Sequence, residues 1–392
     1  MVALGTIEAM CFGRKKPVMF LLGSVVLASS LLPHLVAVGE EAESAPLLWR
    51  TEIIDSDGDT GWYTSLALDP KTGYSRLSYY NHTRGELMYA SWDGEQWQIE
   101  TVDSKGRVGW YSSLALASDT GEPRIAYHDV DQGDLKYAEW SDGRWKIQVV
   151  DEAGLTGRYT SLKLDPKTQY PRISYYDYGG SLRYAAWDGE RWNLETVDSD
   201  GRVGSYSDLV LDPNTGYPRI AYLSTPDFHL RVALWTGEEW EIHVPDPCPG
   251  VGMYPTIVLD SKRNPHVVYY DRNNAALKYT FYDGESWQVR FVDKHRPGRF
   301  PHIQLDPETE FPFVCYHDDK DGAEGFKLKC AVWDGESWDI YIVDSGGIQS
   351  SMVLDPGAHL PMISHYDYLT KTLRFARAYR ASEEAEQEEK PK

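Results

Sequence analysis

Seven short stretches of this chain end in the same kind of chemistry: Tyr79-Tyr80-Asn81, Tyr127-His128-Asp129, Tyr175-Tyr176-Asp177, Tyr222-Leu223-Ser224, Tyr269-Tyr270-Asp271, Tyr316-His317-Asp318 and His365-Tyr366-Asp367. Aromatic faces beside carboxylates are what saccharide binding needs. A ring stacks on the apolar face of a pyranose, and a carboxylate accepts paired hydroxyl hydrogen bonds. The candidate ligand-binding set is therefore Tyr80, His128, Asp129, Tyr176, Asp177, Tyr270, Asp271, His317, Asp318, Tyr366 and Asp367, with Trp110 beside them. A second reading stands against it, in which the tyrosines pack the scaffold and the aspartates cap loop N–H groups. The first place of the triplet is Tyr in all but the last and reads as packing. The second place varies through Tyr, His and Leu. Adjacent strand residues face opposite ways, so the two places occupy different environments.

Metal chemistry is the other use for such residues. His128, Asp129, His317, Asp318, His365 and Asp367 are suitable ligand types, but they lie on repeats far apart in the chain. Asp55-Ser56-Asp57-Gly58-Asp59 resembles the start of a calcium loop, yet no acidic residue stands at its twelfth position. The expectation is no metal site and no cofactor, with calcium as the cation to consider. No P-loop, GxSxG, HExxH or paired CxxC occurs.

The triplets recur because the chain repeats. Each unit reads as four short strands, as in SLKLD, PRISYYD, SLRYAAW and WNLETVD between residues 160 and 198. The leucines of the first strand, Leu68, Leu116, Leu164, Leu211, Leu259, Leu305 and Leu354, are 46 to 49 residues apart, a period that signals a propeller. The seventh unit lacks its outer strand, and the missing piece, with Trp49, stands at the other end of the propeller segment. The fold class is thus all-β: a seven-bladed propeller of four-stranded antiparallel blades, closed by an N-terminal strand that completes the last blade. Asp-Gly pairs such as Asp93-Gly94 and Asp188-Gly189 turn the outer hairpins. In such a ring the second-strand ends share one face with the residues entering the inner strands: Tyr63, Tyr111, Tyr159, Tyr206, Tyr254, Phe300 and Gln349.

Repeated residues read as scaffold. Trp92 with Trp97, Trp140 with Trp145 and Trp187 with Trp192 fit packing between blades. Arg76, Arg124, Arg172 and Arg219 are expected to pair with the Asp of a Leu-Asp-Pro turn, and a carboxylate ligand is the alternative partner.

Arg14, Lys15 and Lys16 precede an apolar run from Val18 to Val38, so residues 1–39 read as an export signal, or alternatively as an uncleaved anchor. Residues 40–46 are a spacer, 47–380 the propeller and 381–392 a disordered acidic tail. A secreted or periplasmic, extracellular location follows. The formal charge of −21 argues against nucleic acid and against docking on anionic lipid, leaving a glycan or another cell-surface ligand as partner of a monomer. Cys315 and Cys330 lie on neighbouring strands, either paired or as two buried thiols.

The recurring "SLALD … PRISYYD … LKYA-WDG-x-W … VD" signature resembles exported bacterial β-propeller repeat proteins, and is similar to the fucose-lectin-like and sialidase-like propellers. The resemblance implies sugar binding between blades, with Tyr176, Tyr270 and Trp110 as counterparts of the lectin side chains. The sialidase Ser-x-Asp-x-Gly-x-Thr-Trp box is only echoed, by Ser56-Asp57-Gly58-Asp59-Thr60-Gly61-Trp62. A non-catalytic binding module is the first expectation. A glycan hydrolase or lyase with an Asp/His/Tyr group at the axial mouth, and a structural or protein-interaction propeller, are the alternatives.

Overall fold

A computed structural model describes residues 46–225, 227–295, 298–318 and 325–380. The segments read as export signal and tail therefore lie outside the described residues. Twenty-eight strands form seven four-stranded antiparallel sheets, with no helix among the described residues. Six blades are continuous in sequence. The seventh pairs Leu47–Asp55 with Thr372–Arg380, then Pro361–Asp367 and Gly347–Leu354, so the N-terminal strand closes the ring as expected. Trp49–Ala378 forms one compact unit, and all that follows concerns it.

The second strand of each blade is buried on both faces. In Pro171–Asp177, Ile173 and Tyr175 are fully buried, and the same holds for Ile125 and Tyr127 one blade earlier. Core clusters straddle blade boundaries: Leu87, Tyr89 and Val102 of the first blade pack with Val108, Leu114 and Tyr127 of the second. The outer tryptophans seat on the preceding blade, Trp145 against Tyr89 at 5.5 Å, Trp192 against Tyr137 at 5.4 Å and Trp240 against Tyr184 at 5.7 Å. Arg76, Arg172 and Arg219 pair with Asp69, Asp165 and Asp212 at 2.9, 3.2 and 3.5 Å. Arg124 donates instead to the Gln169 carbonyl at 3.2 Å, because Ala117 occupies the Asp position of its blade.

A second repeated device fastens one blade to the next. The first-place tyrosine donates its hydroxyl to an aspartate at or just beyond the end of the preceding outer strand: Tyr79 to Asp55 (2.8 Å), Tyr127 to Asp103 (2.7 Å), Tyr175 to Asp151 (2.7 Å), Tyr222 to Asp198 (2.6 Å), Tyr269 to Asp246 (2.7 Å) and Tyr316 to Asp293 (2.8 Å). In the seventh blade His365 meets Asp344 at 3.1 Å. A cation on the third strand bridges that aspartate to the one ending the second strand. Lys278, 1% exposed, lies 3.0 Å from Asp246 and 2.8 Å from Asp271. Two blades vary the parts. The first has Met88 where others have Lys or Arg, and there the second strand ends in Asn81 rather than Asp. In the fourth, Ser224 ends the strand, and Asp227 supplies the second carboxylate to Arg231 at 3.5 Å.

Cys315 and Cys330 stand directly opposite on neighbouring strands as two buried free thiols. Burial pushes the Cys315 thiol up to about 12.

Candidate functional site at the axial mouth

The inner strands do not run straight into the axis. Between Trp62↔Tyr80 and Ser65↔Ser78 the first blade places two residues opposite one, a bulge repeated in the other complete inner strands. The bulged residue takes the left-handed conformation: Tyr63 (φ 54°), Tyr111 (56°), Tyr159 (55°), Tyr206 (57°), Tyr254 (54°), Phe300 (54°) and Gln349 (51°). Bulky side chains are genuine outliers there, at a cost of about 1 kcal/mol or more each. Two residues earlier stands a glycine. At Gly61 a Cβ would come within 2.8 Å of the Leu373 backbone, and at Gly252 within 2.5 Å of Leu230, so the strand presses against its neighbour blade just before it bulges.

The outcome is a ring of aromatic side chains around the axis. Successive centroids lie 4.7 Å (Tyr63–Tyr111), 4.6 Å (Tyr111–Tyr159), 4.3 Å (Tyr159–Tyr206), 4.3 Å (Tyr206–Tyr254) and 4.3 Å (Tyr254–Phe300) apart, tilted by about 50° throughout. Gln349 closes the circle by accepting the Tyr63 N–H at 3.1 Å. Each phenol lies close enough to the next to influence its ionisation, from Tyr63 through Tyr111, Tyr159 and Tyr206 to Tyr254. Burial raises all five phenols, Tyr63 and Tyr206 to about 12, so they stay protonated and can donate. Below the ring an axial cavity of about 730 Å³ runs between the inner strands.

The cavity wall is polar one layer down. Ser65, Ser113, Ser161 and Ser351 each accept the N–H of the next blade's inner strand at 2.9–3.0 Å, and Asp208 does the same for Ile257 at 2.9 Å. Thr256 and His302 hold the equivalent places but leave Oγ1 and Nδ1 buried without a partner.

The candidate residues divide sharply. Asp129, Asp271 and Asp318 sit in the inter-blade fastenings, 2.6 Å from Lys136, 2.8 Å from Lys278 and 2.6 Å from Lys329. Asp177 and Asp367 meet Arg183 and Arg374 at 3.7 and 3.1 Å. These carboxylates are committed to the scaffold, and they also cap loop N–H groups, as Asp177 does for Gly179 at 2.8 Å. The second-place side chains pack outside the aromatic ring. Tyr80 is edge-on to Trp110 (6.1 Å), Tyr176 lies 6.2 Å from Tyr159, His317 5.7 Å from Phe300, and His128 6.4 Å from Tyr111. Tyr366 stacks 4.8 Å from Trp62 and donates to Asp59 at 2.8 Å, an acceptor shared with the Trp62 indole N–H at 2.7 Å. Trp110 packs on Tyr63 at 5.6 Å with its indole N–H buried and unbonded. Tyr80, His128 and Tyr366 are almost wholly buried, whereas Tyr270 is half-buried. No group of three or more His, Cys, Asp and Glu is placed to hold a metal among the described residues. In the Asp55–Asp59 loop, Asp55 accepts the Asp57 N–H at 2.9 Å and Asp57 pairs with Arg84.

The aromatic ring is the feature the candidate set lacks. Its signal in the sequence is the Gly-x-aromatic step, Gly61-Trp62-Tyr63 through Gly298-Arg299-Phe300, just ahead of each inner strand.

Two histidines here set an acid limit on the fold. Burial, aided by Arg299, holds His317 down at about 3, and burial holds His302 at about 4 against the opposing pull of Asp208, with Lys163 in support. When unfolded, both would take up a proton near 6.5. The unfolded state therefore binds more protons as the pH falls below that value, and stability drops with it. Denaturation midpoints should be level above pH 7 and fall steadily between pH 6.5 and 4. His302→Gln should flatten part of that slope, and an unchanged slope would contradict the assignment.

Fold and site together define a seven-bladed β-propeller with an aromatic axial mouth. No protein-family model matches the chain, and no curated protein matches its sequence. Solved structures of similar fold include a polysaccharide lyase described as an ulvan lyase of a new family (TM-score 0.56, 12% identity, covering 85% of this chain and 98% of that one). AofleA from Arthrobotrys oligospora is also similar (0.51, 15%, 76% and 90%), as is an α-L-arabinanase from Penicillium chrysogenum complexed with arabinobiose (0.50, 13%, 85% and 98%).

Proposed function

We propose that this chain is a non-catalytic carbohydrate-binding propeller whose site is the axial mouth ringed by Tyr63, Tyr111, Tyr159, Tyr206, Tyr254 and Phe300. The observation that carries this reading is the left-handed backbone of six aromatic residues at equivalent places. Glycine or asparagine would hold the bulge without strain. Aromatic side chains there present ring faces and donor hydroxyls to the axis, which is the pairing a sugar needs. Trp110 and Tyr176 back the ring and belong to the site in this reading. The commitment of the second-strand aspartates to Lys and Arg favours binding over hydrolysis, since a glycosidase needs two free carboxyl groups at a set separation. A polysaccharide lyase and an arabinanase holding arabinobiose share the fold, which is in keeping with a saccharide ligand. With residues 1–39 read as an export signal, the ligand is met outside the cytoplasm.

The test is a glycan array followed by calorimetry on wild type and on Tyr159→Asn/Tyr206→Asn. Asparagine tolerates the left-handed backbone, so the fold should survive. Affinity should fall at least about tenfold with the loss of two stacking faces. Undiminished binding by the folded double variant would sink the axial site, and a wild type that binds no glycan would sink the reading itself.

A further inference from the structure

Resting on that reading, we infer that the saccharide taken at the axial mouth is anionic, bearing a carboxylate or sulfate group recognised by Arg158. The residue just before each ring member directly adjoins it in the chain, and in the third and sixth blades it is an arginine, Arg158 and Arg299, where the other blades have Trp62, Trp110, Ser205, Met253 and Ile348. The two arginines therefore stand three blades apart, on roughly opposite sides of the opening.

Arg158 is the informative one. The chain carries 60 acidic against 39 basic residues, so an arginine without a carboxylate partner is out of keeping with its surroundings. Yet no ion pair joins Arg158 to any acidic group among the described residues. Its guanidinium is held 5.0 Å over the ring of Tyr178, a residue 57% exposed, and its Nε–H is buried with no acceptor. A guanidinium placed by an aromatic ring rather than by a carboxylate keeps its outer N–H fork free for a planar anion. Its field reaches the mouth: Arg158 acts on Tyr63, Tyr111 and Tyr159, and Arg299 acts on Tyr206 and Tyr254. The charges that act most on these five phenols are those of the arginines and of the neighbouring phenols, while the carboxylate of the cavity wall, Asp208, is one layer down and accepts the Ile257 N–H. In a strongly acidic protein, Arg158 gives this side of the mouth a cation that no carboxylate among the described residues pairs with. Neutral sugars have no use for that arrangement, whereas an acidic sugar would gain charge-assisted hydrogen bonds beside the stacking faces.

Calorimetry with three probes tests this: oligogalacturonate, its carboxyl-reduced neutral counterpart, and a sulfated oligosaccharide. Each is titrated into the full chain and into Arg158→Gln and Arg158→Lys, with the melting temperature recorded for every preparation. At least one acidic probe should bind wild type ten times or more tighter than the neutral one and weaken with added salt. The better of the two acidic probes identifies carboxylate or sulfate. Arg158→Gln should remove that preference without changing the melting temperature, and Arg158→Lys should restore part of it. Equal affinity for acidic and neutral probes, or a preference that survives Arg158→Gln, overturns the inference while leaving a glycan-binding mouth intact. If none of the probes binds and the glycan array is also blank, both readings fall.

Discussion

Lys278→Met should destabilise the propeller by about 3–5 kcal/mol, the cost of leaving buried charges without their partner. Lys278 is 1% exposed and touches both Asp246 and Asp271, so its removal strands two carboxylates in the seam between the fourth and fifth blades. The first blade shows how such a loss can be absorbed. There Met88 stands in the cation's place, Asn81 replaces the second aspartate, and Asp55 remains, accepting from Tyr79, Thr60 and the Asp57 N–H. Asp246 already has comparable donors in Tyr269 and the Cys248 N–H. Asp271 accepts the Asn274 N–H at 3.0 Å just as Asn81 accepts the Arg84 N–H at 3.0 Å. Lys278→Met/Asp271→Asn should therefore recover most of the stability lost in the single variant. Chemical denaturation of the two variants and of Asp271→Asn alone gives the coupling. A double variant no better than Lys278→Met would show that the seam is not a modular unit.

Removing the strand Leu47–Asp55 should cost about 5 kcal/mol or more and expose a sheet edge. The strand carries buried Ile54, the Asp55 acceptor of the Tyr79 hydroxyl, the Glu52 acceptor of the Trp97 indole and the Thr51 acceptor of Arg374. Each loss adds to the burial term. The exposed edge of Thr372–Arg380 is then a template for another chain. A lower denaturation midpoint with concentration-dependent aggregation is expected, and a synthetic peptide of residues 47–55 should reverse both by adding the strand back. Unchanged stability after deletion would refute closure by this strand.

The architecture was legible because repetition amplifies weak local signals. One Ser-Leu-Lys-Leu-Asp stretch is ambiguous, but seven at a steady period leave one architecture, and Trp49, one period before Trp97, marks the closing strand. The site was less legible for a reason of the same kind. Asp129 and Asp271 read as ligand groups because their partners, Lys136 and Lys278, lie across a strand pair where sequence distance says nothing of contact. The phenols were visible as residues entering the inner strands. Their convergence depends on a bulge with positive φ, which tyrosine rarely adopts and no local pattern of side chains announces. Arg158 drew no notice, because an unpaired cation is recognised only once its surroundings are known.

The blade fastenings also change what the isoelectric point of this protein measures. Each contains at least one more acid than base: Asp103 and Asp129 around Lys136, Asp151 and Asp177 around Arg183, Asp246 and Asp271 around Lys278, and Asp55 with no cation where Met88 takes the place of one. The sixth and seventh blades follow the same tally with Lys329 and Arg374, while in the fourth Arg231 meets three carboxylates, Asp198, Asp200 and Asp227. At least one excess negative charge per blade is thus tied to the number of blades rather than to any partner in solution. A homologue with one blade fewer would be expected to titrate about one charge less acidic with the same outer surface. Low isoelectric point in this architecture is in part a count of seams, and a search for its ligands by overall charge would begin from the wrong sign.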